Sequence, residues 1–233
     1  MTFEYSSELL VDHPQTVGGI IQIENLCNGP TPPELLDAYM AEQTERRGQI
    51  DGALSEIPSL AAWRLAFRRF GANPTKYRSA PEALLRRLTK KGDLPSINAL
   101  VDIGNLVSIR YALPVAVFDK RSVEGSISVH PAVGRERYRE LGQTEIIHPP
   151  AGEVIFSDET GMVLARRWCW RQSAESAARA DTGAVLIAVE AQHSSGPQDV
   201  RRAVDDLITL VASYCGGQTR QTILDAEHPT FDG

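Results

Sequence analysis

The feature that most constrains this fold is how the hydrophobic period changes along the chain. Thr16–Leu26 (TVGGIIQIENL) sets Ile21 and Ile23 against Gln22 and Glu24, the two-residue alternation of a strand. Past a Pro/Gly turn at Gly29–Pro33 the period lengthens to that of a helix. Leu35, Leu36, Tyr39 and Met40 form an apolar stripe over Glu34–Arg47, and a second helix runs over Ser59–Phe70 until Gly71 stops it. Ser79-Ala80-Pro81-Glu82 has the spacing of a capping box, and Leu84, Leu85 and Leu88 continue it as an amphipathic helix. A further helix is predicted over Ser96–Arg110. Short strands follow at Val115–Phe118, Ser126–His130, Glu153–Phe156, Met162–Trp168 and Ala184–Val189, then a helix over Gln198–Cys215 closed by Gly216-Gly217. This mixed order predicts an α+β class with a mixed sheet and flanking helices.

No repeat, low-complexity tract or linker divides the 233 residues, so one domain is expected over 1–233. Within it we read an N-terminal strand-helix portion at 1–58, a core at 59–217 and a polar, loosely held tail at 218–233. No apolar run reaches the ~20 residues of a membrane span. Met1–Glu8 lacks the charged and apolar regions of a signal peptide. Cys27, Cys169 and Cys215 cannot all pair and show no C-x-x-C spacing, and the five histidines are scattered. The expectation is a cytoplasmic protein with reduced thiols, no metal and no cofactor.

Charge is unevenly distributed. Residues 64–91 hold nine basic side chains and one acid, Glu82. That segment carries +8 in a chain of net charge −6, which leaves −14 elsewhere. A segregated basic face of this kind either binds phosphates or is a solvated helix surface. Arg68, Arg69, Lys76, Arg86, Arg87, Lys90 and Lys91 are its candidate RNA-binding residues.

Other candidates come from local chemistry. Asn98, Asp102 and Asn105 share one helix face and either line a cleft or tie down neighbouring loops. In Arg166-Arg167-Trp168-Cys169-Trp170-Arg171, a strand would put Trp168 and Trp170 on one face, to stack a base or fill the core. Arg167 and Arg171 would lie on the other, to hold an anion or to pair with Asp158 or Glu190. His130 can position a water, and Asp119 and Asp158 sit where strands give way to loops. No G-x-S-x-G, Cys–His or Walker motif is present, so no activated nucleophile is expected.

Three stretches together resemble a known module. Phe67–Arg87 is the first. Leu94–Asp119 is the second, with Asn98, Val101, Asp102, Asn105, Pro114, Phe118 and Asp119 on an N-x-V-D-x-x-N…P…F-D pattern. Gly152–Gln172 is the third. They resemble the B3/B4 (tRNA-binding, editing) domain of the bacterial phenylalanyl-tRNA synthetase beta subunit, in a free-standing form. The resemblance implies an α+β module with a cleft that hydrolyses tyrosine wrongly attached to phenylalanine tRNA. It also implies a tRNA or aminoacyl-tRNA partner. This chain departs from the pattern where the synthetase has P-x-H-A-F-D: Ala116 stands at the histidine. The recognition glutamate falls near Ala188, with Glu190 two residues on along the same strand face. Tyrosine editing therefore does not carry over, and the chain has no room for a synthetase's own catalytic machinery.

The resemblance implies a cleft between the Asn98–Asp119 segment and the Gly152–Arg171 strands. There Asn98, Asp119, Arg167 and Glu190 would be catalytic, with Ala116, His130, Asp158, Trp168 and Trp170 contacting substrate. Three functions remain open from the sequence. One is a trans-acting editing hydrolase, another a non-catalytic tRNA- or RNA-binding module. The third is a small-ligand-binding protein that kept the fold.

Overall fold

The computed structural model describes all of Met1–Gly233. In chain order its elements are β1 (Thr2–Tyr5), α1 (Ser7–Asp12), β2 (Val17–Glu24), α2 (Pro33–Gln49), α3 (Pro58–Arg69), α4 (Ala80–Lys91) and α5 (Ala99–Tyr111). Then come β3 (Val115–Asp119), β4 (Ile127–Pro131), β5 (Tyr138–Arg139), β6 (Ile146–Ile147), β7 (Val154–Asp158), β8 (Val163–Arg166) and β9 (Arg171–Gln172). The chain closes with β10 (Val185–Ala191), α6 (Gly196–Tyr214), β11 (Gln218–Leu224) and β12 (Thr230–Asp232). The class is α+β, as the changing period predicts.

The strands build two large sheets. One is antiparallel, in the order β11-β2-β10-β3. The other has the order β12-β1-β4-β7-β8-β9 and is antiparallel except where β1 runs beside β4. All seven residues of β10 are buried because both of its faces are covered. Val185, Ile187, Val189 and Ala191 enter a core of 29 buried residues shared with α2, α4, α5 and α6. Leu186 and Ala188 enter a second core of 20 residues, filled from the other side by Phe3, Ile127, Val129 and Phe156 of the six-stranded sheet and by Trp63 and Phe67 of α3. The result is three layers: helices, four-stranded sheet, six-stranded sheet.

Two adjacent glycines in β2 let these layers close. A Cβ at Gly18 would fall on the Tyr5 hydroxyl from one side, and a Cβ at Gly19 would fall on the Val204 side chain of α6 from the other. Glycine inside a strand at such a close approach exchanges local propensity for tertiary contact.

Four local expectations change. The segment after Gly217 is not a loose tail. β11 pairs along β2 from Gln218↔Glu24 to Leu224↔Gly18, and β12 pairs with β1, so edge pairing orders a stretch whose composition is polar. The capping box does not form: the Ser79 hydroxyl makes no cap hydrogen bond and is buried without a partner. Glu82 turns instead to Arg64 Nη1 at 2.7 Å, because a buried carboxylate gains more from a guanidinium than from a backbone N–H. α5 starts at Ala99 rather than Ser96, since Asn98 caps it by accepting from Val101 N at 3.0 Å. β8 stops at Arg166, where the chain turns left-handed.

Candidate functional site

A pocket of about 90 Å³ opens between the two sheets, at the start of β3 and the end of β10. Pro114, Val115 and Ala116 line it from β3, Glu190 from β10, Phe156 and Ala165 from β7 and β8, and the Trp168–Gln172 segment and Ala80 close it. It therefore lies between two of the stretches that carry the family resemblance, and it gathers Ala116, Trp168, Trp170 and Glu190.

Glu190 is the only acid in the lining and is 2 % exposed. Its Oε1 accepts from the Tyr5 hydroxyl at 2.9 Å and from Trp168 Nε1 at 3.0 Å. Burial outweighs those two donors and raises the carboxyl from its ordinary 4.5 to about 7. Tyr5 is raised well above its usual range by burial and by the Glu190 charge, so it stays a donor. Tyr5 is absent from the sequence-based candidates. The Gly18-Gly19 pair, which marks a close approach to β2, is the one local signal for it.

The turn that carries Trp168 is strained. Arg167 and Trp168 both have positive φ, 45° and 58°, where a residue with a Cβ costs roughly 1–2 kcal/mol. Glu153 holds the turn. It pairs with both Nε and Nη2 of Arg166, at 2.8 and 2.9 Å, and accepts from Arg167 N at 3.1 Å. Trp168 N also donates to Val154 O at 2.6 Å. The extended strand expected through Arg166–Arg171 is thereby corrected, and the two tryptophans do not share a face. Trp168 is fully buried, with His13 at 4.9 Å and Trp63 at 5.1 Å edge-on to it, and cannot stack a base. Trp170 is half-buried beneath Arg167 and Arg171, whose guanidinium carbons lie 4.5 and 4.7 Å from its centroid.

Arg167 sits away from the pocket. It covers the Tyr77 ring at 3.7 Å and reaches Glu153 at 3.5 Å, and burial pulls its pKa down. Arg171 takes its place at the mouth and is ion-paired with Glu140. Neither arginine meets Asp158 or Glu190.

The remaining candidates hold the fold together. Asn98 caps α5 and bridges Asn28 and the Ala178 carbonyl. Asp102, fully buried, accepts from Thr31 Oγ1 at 2.6 Å, from Ile97 N at 2.9 Å and from the Ser96 hydroxyl. Asp119 accepts from Thr182, Arg121 N and Arg121 Nε at the end of β3. Asp158 accepts from Glu124 N, Thr160 and Met162 N in a turn. His130 bonds Ser157 and Pro131 O on the sheet face away from the pocket. Cys169 lines the pocket, but burial and then the Glu190 charge push its thiol well up, which makes it a poor nucleophile. No three His, Cys, Asp or Glu side chains converge as a metal site requires, and no helix is long and apolar enough to cross a membrane.

The basic candidates lie on α3, α4 and the loop between them. Arg68, Arg69, Lys76, Lys90 and Lys91 are exposed, Arg86 and Arg87 half-buried. Arg69 donates to the Asp12 carbonyl, and Arg87 donates to the Asp93 carbonyl and pairs with the Asp93 carboxylate at 3.8 Å. Arg64 and Arg78 converge on Glu82. α3 packs mainly into the second core and α4 into the first, so Arg64–Glu82 is the tie that joins the two basic helices.

Comparison with known proteins gives the family. Phenylalanine–tRNA ligase beta subunits are similar over parts of the chain. That of Ruegeria pomeroyi is 37% identical over 82 residues, covering 35% of this chain and 10% of the relative. That of Cereibacter sphaeroides is 28% identical over 180 residues, covering 64% and 21%. The chain thus spans between a tenth and about a fifth of those relatives' length. A crystal structure of an N-terminal fragment of the phenylalanyl-tRNA synthetase beta subunit from Pyrococcus horikoshii superposes with TM-score 0.48 and 15% identity, over 94% of this chain and 50% of that one. The B3/4 domain model matches residues 62–216, from α3 to the end of α6, and the chain belongs to the B3/4 domain family.

Proposed function

We propose that the protein is a cytoplasmic, tRNA-associated hydrolase that removes a wrongly attached amino acid from tRNA. The observation that carries this reading is the small, largely apolar pocket with one buried acid at its floor and Arg171 and Gln172 at its mouth. It opens between Leu94–Asp119 and Gly152–Gln172, the stretches most like an editing module. The curated relatives are subunits of a tRNA ligase, which supports a tRNA partner. The uncompensated Lys90, Lys91 and Arg68 supply phosphate contacts.

In this reading the amino-acid side chain enters the pocket and the ester stays at the mouth. Arg171 stabilises the charge that develops on the ester oxygen. It replaces Arg167 in that role, since Arg171 lines the pocket and Arg167 does not. An aminoacyl ester is reactive enough for a positioned water to cleave it, and no acyl-enzyme forms because Cys169 is held as the thiol. Ala116, where the synthetase pattern has histidine, removes a partner for a tyrosine hydroxyl.

The test is deacylation of a panel of mischarged tRNAs by purified protein, with Arg171→Ala alongside. Hydrolysis of at least one ester, slowed by Arg171→Ala, is expected. If none is hydrolysed while tRNA still binds in a salt-dependent way, the protein is a binding module.

A further inference from the structure

The pocket's depth, size and polarity narrow what it accepts; this step rests on the editing reading above. Its floor is made of Glu190, Trp168 and Phe156, all 2 % exposed or less, while Arg171 stands exposed at the mouth beside half-buried Trp170 and Gln172. The terminus of a tRNA cannot enter a space of about 90 Å³. The ester and the α-ammonium next to it therefore stay at the mouth, and only the far end of the side chain reaches Glu190. A cavity that encloses benzene measures about 150 Å³, so the pocket is too small to enclose an aromatic ring. Both protein donors go to Oε1 of Glu190, and no protein group donates to Oε2. An apolar side chain would bury that oxygen unpaired, at the full desolvation cost of a polar group. A hydroxyl or thiol pairs with it whether the carboxyl is charged or protonated.

We infer that the pocket selects a short amino-acid side chain ending in a hydroxyl or thiol, the class of seryl, threonyl and cysteinyl esters, with Glu190 Oε2 as the recognising atom. Tyr5 is a positioning residue. From β1, outside the family-matched segment, it occupies Oε1 and leaves Oε2 for the ligand.

The experiment compares shape-matched esters on one tRNA: seryl against 2-aminobutyryl, and threonyl against valyl, with tyrosyl as the large control. The same side chains are also presented as non-hydrolysable 3′-aminoacylamido-adenosines and followed by calorimetry. The expected result is that at least one hydroxyl ester is cleaved about 100-fold or more faster than its alkyl match. Ala116→Leu, which fills the pocket, should abolish that preference while tRNA binding is kept. Cleavage without preference for the hydroxyl partner, or a preference that survives Ala116→Leu, overturns the inference and leaves the hydrolase reading standing. No cleavage, but tighter binding of the seryl amide than of the aminobutyryl amide, supports the selectivity and ends the hydrolase reading. Neither cleavage nor selective binding overturns both.

Discussion

Replacing Glu190 with glutamine should change how the protein's stability depends on pH. The carboxyl titrates at about 7 when folded and at its ordinary 4.5 when exposed. Between those values the folded state holds a proton that the unfolded state has released. Stability therefore falls as pH rises through this window, and the full penalty is present above pH 7. A gap of about 2.5 pH units corresponds to about 3 kcal/mol. Glutamine keeps an oxygen for the Tyr5 hydroxyl and Trp168 Nε1 and does not titrate. In urea unfolding at pH 4.5 to 8.5, the stability of Glu190→Gln relative to wild type should rise by about 3 kcal/mol across pH 4.5–7 and then level off. Groups titrating elsewhere cancel in that difference. A difference that stays flat with pH would show that Glu190 is charged and solvated in the folded protein, and would remove the buried acid from the argument.

Other outcomes follow from the same geometry. Charge reversal at Arg86, Arg87, Lys90 and Lys91 should weaken tRNA retention on filters and make the logarithmic salt slope shallower by about 0.7–0.9 for each phosphate no longer neutralised; unchanged affinity and slope would take α4 out of the interface. Gly18→Ala drives a Cβ into the Tyr5 hydroxyl and should cost about 1–3 kcal/mol of stability, with perturbed aromatic near-ultraviolet dichroism. A wild-type stability and spectrum would refute the close approach. Asp102→Ala strands the donors from Thr31, Ser96 and Ile97 and should cost about 3 kcal/mol without altering deacylation per folded molecule; a selective loss of activity would return Asp102 to the site.

The local patterns of the chain determine its elements and little about how they meet. The 3.6-residue stripes of α3, α4 and α6 and the alternation in β2 are properties of neighbouring residues, so they can be read directly, as can the basic loading of α3 and α4; in α2 the expected stripe holds only in part, since Met40 is exposed and Glu42 and Gln43 are buried with Leu35 and Tyr39. The positive φ of Arg167 and Trp168 has no such signal, because neither is a glycine and Glu153, more than ten residues away, holds the turn. The polar stretch after Gly217 reads as a tail because its order comes from pairing with β1 and β2, some two hundred residues away in sequence. Asn98, Asp119, Asp158 and His130 carry functional side-chain chemistry, and only their hydrogen-bond partners reveal them as caps, turns and cross-strand ties. Glu190 is the sharpest case. Its place on the strand face of Ala188 is set by alternation, but its proton affinity is set by desolvation between two sheets and by a tyrosine 185 positions earlier. Burial and charge are sums over everything that surrounds a group, and those surroundings exist only once the chain has folded.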